Sequence, residues 1–104
     1  MQNLRKHVRV PIRAQITCIT KMCTFRGITR NLSEGGIQVE IPDLERRAEV
    51  HLMFRLPTSD TIIDTFGAVV WESERKQGIE FKHIGTQSSD SIRHFVEQRT
   101  LRIR

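Results

Sequence analysis

The chain predicts an all-β fold, a small six-stranded antiparallel barrel with a C-terminal helix. Three observations carry this. Apolar residues recur with period two over most of the length, and Gly, Pro, Asn and Asp break the pattern at short intervals. The period changes to three and four only near the C-terminus. An antiparallel sandwich is the alternative arrangement of the same strands. The 104 residues suit one domain, 1–104, divided into a basic arm over 1–10, a barrel over 11–85 and a helix over 88–100.

Each element has its own signal. Ile12, Ala14, Ile16 and Cys18 alternate with Arg13, Gln15 and Thr17, as a half-buried strand does. Met22 to Thr29 reads as its partner, with Phe25 as the core residue. Arg30-Asn31-Leu32-Ser33-Glu34-Gly35-Gly36 is rich in turn formers. Ile37, Val39 and Ile41 alternate until Pro42-Asp43, and Val50, Leu52, Phe54 and Leu56 alternate until Pro57. Residues 61–74 read as a longer strand, with Phe66, Ala68 and Val70 on one face and Val69 and Trp71 on the other. Gly78 opens a last strand containing Ile79 and Phe81. Ser88, Ser89 or Asp90 can accept from the free N–H groups of a helix start, and Ile92, Phe95 and Val96 then share one helical face. All five phenylalanines, Phe25, Phe54, Phe66, Phe81 and Phe95, fall in core phases, as do Trp71 and Ile37.

Charge and composition narrow the function. Seventeen basic residues against twelve acidic ones leave +5, which favours nucleic acid, anionic lipid or a phosphorylated small molecule as partner. Arg5, Lys6, His7, Arg9 and Arg13 crowd one end of the sequence, and Arg93, His94, Arg99, Arg102 and Arg104 the other. No apolar run approaches the roughly 20 residues of a membrane helix, and Met1 to Arg9 contains no apolar signal core. The expected setting is the bacterial cytoplasm, for a whole protein or for part of a longer chain. Cys18 and Cys23 lack a second Cys or His pair to complete a metal site, so free thiols are expected.

Catalytic constellations are missing from the sequence. His7, His51, His83 and His94 are scattered, Glu72 and Glu74 read as solvated strand-end charges, and Asp60 and Asp64 as loop residues. The expectation is a non-enzyme with no catalytic residue, no metal and no cofactor. Binding of single-stranded nucleic acid needs exposed aromatics along a basic groove, and with every Phe in a core phase little is left to form one. A basic nucleic-acid-binding barrel is therefore the second reading, and no specific nucleic acid is expected as partner.

Two short motifs carry the positive signal. Arg5-Lys6-His7-Val8-Arg9 is an R-x-x-x-R immediately before the first strand, and Asn31-Leu32-Ser33-Glu34-Gly35-Gly36 is an N-x-S-x-x-G between the second and third. Gly67-Ala68-Val69-Val70-Trp71 comes next, then Gly78-Ile79-Glu80-Phe81. In this order the chain resembles the PilZ domain, a bacterial receptor module for cyclic di-GMP. The family shows R-x-x-x-R, [D/N]-x-S-x-x-G, a G-x-V-x-W-like strand and a G-[IV]-E-F-like strand. The third motif is here looser by one aliphatic position, and Asn31 stands where Asp is commoner.

The resemblance implies a six-stranded antiparallel barrel with a C-terminal helix, and cyclic di-GMP as ligand. It assigns Arg5 and Arg9 to phosphate and guanine, Asn31 and Ser33 to a guanine edge, and Gly36 to close approach of backbone and ligand, with Lys6, Arg30 and Gly35 as additional contacts. The chemistry is apt, because a guanidinium forks onto phosphate or guanine O6 and N7 and also stacks on a base. Family members with a basic residue just before R-x-x-x-R tend to hold a stacked pair of ligands. Leu4 occupies that position and implies one ligand per chain. The expected role is a sensor that offers a changed surface to an unidentified downstream protein. The alternative within the family is a protein–protein adaptor that binds no nucleotide.

Overall fold

The computed structural model describes residues 8–42, 44, 48–57 and 59–103, with side chains as far as Leu101. Seven strands precede one helix: β1 (Val10–Pro11), β2 (Gln15–Ile19), β3 (Thr24–Leu32), β4 (Gly36–Glu40), β5 (Glu49–Arg55), β6 (Ile62–Ser73), β7 (Lys76–Lys82) and α1 (Thr86–Ile103). All pairings are antiparallel. The order is β1-β3-β2-β5-β6-β7-β4, and β4 pairs back onto β3, which closes β2–β7 into a six-stranded barrel. Closure removes the two edges that an open sheet would expose. The two-residue β1 is an extra strand laid against the end of β3, with Val10 opposite Leu32 and Pro11 opposite Asn31.

The interior is aliphatic. Ile16, Cys18, Leu32, Val39, Leu52, Ile63, Val69 and Ile79 alternate inward along their strands. Helix α1 packs against β1 and β6. Ile92, Phe95 and Val96, at spacing three and four, join the same core. The helix starts two residues earlier than the capping serines suggest, because Ser89 N–H already donates to Gly85 C=O (2.9 Å). No helix among the described residues is long and apolar enough to cross a membrane.

Several details depart from the period-two reading. Asn31 and Leu32 are not turn residues. They end β3, held there by β1 and β4. Ile12 and Ala14 lie before β2 rather than in it, although Ile12 is buried. Phe25 is only half-buried, and Thr29 is the buried residue of its stretch because its hydroxyl is satisfied by Ile12 O (3.1 Å) and Ala14 N (2.8 Å). Phe66 is not core: it faces outward, 52% exposed, with the His51 ring stacked on it at 4.7 Å. Asp64 is likewise a strand residue, bonded to His51 Nε2. Ile63, Thr65 and Val69 take the inner face of β6, so regular alternation turns Asp64 and Phe66 outward. Further on, Val69 pairs with Ile79 and Trp71 with Gly78, so Val70 is the extra residue of a bulge and Trp71 beyond it is half-buried.

Candidate functional site

A cleft of about 300 Å³ lies on the outer barrel wall where β4, β6 and β7 run side by side, with the end of the arm at its rim. Residues from four parts of the sequence line it: Arg9, the turn Ser33–Gly36, Gln38 of β4, and Trp71, Gly78 and Glu80 of β6 and β7. The register explains the meeting. Gly36 sits opposite Glu80, Gln38 opposite Gly78, and Gly78 opposite Trp71.

The turn is built before it can bind anything. Ser33 N–H donates to Gly36 C=O (2.9 Å), and Ser33 Oγ accepts from Gly35 N–H (3.3 Å) and donates to Gly36 C=O (3.4 Å). Phe81 N–H donates to Gly35 C=O (2.9 Å), pinning the turn to β7. Ser33 is thus a buried turn former. Gly36 is required by packing, since a Cβ there would run into the Ile79 carbonyl oxygen. None of the described glycines has positive φ, so no left-handed conformation explains it.

Trp71 supplies the aromatic surface. Its indole lies over Gly78, where any Cβ would collide with the ring, and it is half-buried rather than core. Val70 beside it is 43% exposed. Arg9 is exposed and makes no side-chain hydrogen bond or ion pair among the described residues. Its charge is available to a ligand without breaking an existing bond. Glu80 lies at the rim and is partly neutralised by Lys82 (3.2 Å).

The sequence-assigned residues do not all meet here. Arg9, Ser33, Gly35 and Gly36 line the cleft. Asn31 does not, but its side-chain amide bonds the Gln38 side chain, which does. Arg30 faces Glu40 (2.6 Å) and lines a different cleft. Arg5, Lys6 and Leu4 fall outside the described residues. Sequence reasoning missed Trp71 and Gln38. Trp71 looks like core when strict alternation is carried through the bulge, and Gln38 belongs to no motif. Both cysteines are free, Cys18 buried and Cys23 exposed.

A guanidinium, a tryptophan face and a tight polar turn around one shallow cleft suit a planar base joined to an anionic phosphate. No curated protein matches the chain. Among solved structures, the Bacillus subtilis inhibitor of motility (MotI/DgrA) superposes with a TM-score of 0.83 at 22% identity, over 96% of this chain and 53% of that one. This chain thus spans about half the length of that protein. The PilZ domain of Escherichia coli YcgR with c-di-GMP gives 0.75 at 11% identity over 96% and 94%. The PilZ domain of CeSA from a cellulose-synthesizing bacterium gives 0.68 at 17% identity over 88% and 96%. The PilZ domain matches residues 3–98, and the chain belongs to that family.

Proposed function

We propose that this domain is a receptor for cyclic di-GMP that works by binding and not by catalysis. The observation that carries the reading is the convergence of Arg9, the Ser33–Gly36 turn and Trp71 on one cleft. Guanine stacks on the indole face, Arg9 forks onto phosphate or the guanine edge, and the turn limits how deep the ligand sits. Arg5, four residues before Arg9, adds a second guanidinium to the same ligand. Seating the arm over the cleft changes the surface beside it, which is how binding reaches a downstream protein. A solved relative, E. coli YcgR, is described in complex with c-di-GMP, which supports the ligand class.

The test is calorimetry with cyclic di-GMP, read alongside the fluorescence of Trp71, the one tryptophan of the chain. Binding should perturb that fluorescence and saturate at one ligand per chain, as Leu4 implies. Arg9→Ala should cost about 1.5–3 kcal/mol of affinity, the scale of a hydrogen bond to a charged group, with an unchanged melting temperature. Binding that leaves Trp71 fluorescence unmoved and survives Arg9→Ala would remove the ligand from this cleft.

A further inference from the structure

We propose a second anion site, for a phosphomonoester, in a cleft that shares no residue with the first. It opens beside β1 and β3, between the segment after β5 and the C-terminal half of α1, and has a volume of about 410 Å³. Three arginines from separate parts of the chain line it: Arg13 just after β1, Arg30 of β3 and Arg99 of α1. No Asp or Glu is among its described lining residues.

Apart from its arginines the lining offers an anion no free donor. Pro11 and Pro57 have no N–H, Ile12 is buried, and the Thr29 hydroxyl is occupied by backbone groups of Ile12 and Ala14. Recognition therefore falls to the arginines. Arg30, the extra residue of the β3 bulge between Thr29 and Asn31, faces outward after the buried Thr29, and Glu40 meets it at 2.6 Å. Its charge is offset. Arg99 is held with its guanidinium carbon 4.8 Å from the Phe95 ring centroid, a contact that positions the group without cancelling its charge. Arg13 has no side-chain hydrogen bond or ion pair among the described residues.

Among the described residues the cleft thus presents three guanidiniums and one compensating carboxylate, a balance of two positive charges. A dianion matches that balance. A phosphomonoester carries about −1.5 to −2 at neutral pH and three acceptor oxygens for guanidinium forks, whereas a diester or a carboxylate carries one charge and leaves the other guanidinium uncompensated. The volume falls within the range of small-molecule sites, roughly 300–1,000 Å³. The remaining space accommodates the body of a small phosphorylated compound against the prolines.

The test compares methyl phosphate with dimethyl phosphate at fixed ionic strength, followed by amide chemical shifts of the ¹⁵N-labelled protein. Methyl phosphate should shift Ile12, Arg13, Thr29 and Arg30 saturably and leave Ser33 and Gly36 in place. Dimethyl phosphate should bind about fivefold or more weakly, from loss of one charge-assisted pair. Arg13→Gln and Arg99→Gln should each weaken methyl phosphate several-fold, with Arg9→Gln unchanged, and melting curves should confirm that all three variants fold. Equal affinity for the two esters would assign the cleft to a phosphodiester backbone and overturn the proposal. So would unchanged binding in the Arg13→Gln, Arg99→Gln double variant, or an equal loss in Arg9→Gln. None of these outcomes bears on cyclic di-GMP binding in the other cleft.

Discussion

Cys18 and Cys23 show how far five positions can separate two identical side chains. Cys18 points inward from β2, and burial pushes its thiol from 9.0 up to about 12. Cys23 sits exposed in the β2–β3 turn. One thiol per folded chain should therefore react with iodoacetamide, and the second only after denaturation, with mass spectrometry assigning the first to Cys23. The shift also links to stability. The folded state keeps a proton that the unfolded chain releases above its ordinary value, so this contribution is complete below pH 9 and is lost as pH rises towards 12. Urea unfolding at pH 8 and pH 10 should show a fall of at most about 1.4 kcal/mol per pH unit that Cys18→Ala flattens.

At the level of elements, two features hold β4 in register beside the cleft. The buried Gln77 side chain accepts from Ile41 N–H (2.9 Å) and donates to Ile41 C=O (2.7 Å), ending β4 with a two-bond clamp from β7. Gln77→Leu leaves both backbone groups buried and unpaired, at about 1–3 kcal/mol each, which urea unfolding should read as a total loss near 3 kcal/mol. At the other end of the same strand, Gly36 lets β4 lie close to β7. Gly36→Ala should lower the melting temperature without any ligand present, by about 1–3 kcal/mol of overpacking, since a carbonyl oxygen cannot move aside as a flexible side chain would. A variant at this position tests the barrel before it tests the site. An unchanged melting temperature would mean that β4 has room to shift, and the packing account of Gly36 would fail.

For the whole molecule, closure of the sheet and docking of α1 form one core. Ile92 is fully buried and, with Phe95 and Val96, joins the helix to the barrel interior. Ile92→Ala should cost about 2–5 kcal/mol, the range for a buried aliphatic truncated to Ala, in one cooperative transition when circular dichroism and Trp71 fluorescence are compared. Separate transitions for helix and barrel would show that the two are independent units. The helix also reaches the Ser33–Gly36 turn, as Arg93 lies 3.7 Å from Glu34, while its pair with Asp90 (3.1 Å) stays within the helix. These pairs are exposed and contribute little stability, so they align the turn and helix more than they hold them together.

The sequence determined the strands, the closing helix and the turn at Ser33–Gly36, because period-two and period-three-to-four patterns and turn residues are local properties of the backbone. The order of the two motifs was also legible, and with it the family. Only the tertiary structure decided which side each residue faces beyond a bulge. Val70 adds one residue to β6, so Trp71, which alternation places on the face of Val69, lies half-outside; Phe66 lies outside because Ile63, Thr65 and Val69 take the inner face. Arg30 is the extra residue of β3 and lines a different cleft from its neighbours in the motif. A single unpaired residue costs the sheet one ladder position and leaves the sequence pattern almost intact, yet it reverses the facing of the residues on its far side. The site depends on that facing, since it is assembled from β4, β6 and β7, which become neighbours only when the barrel closes.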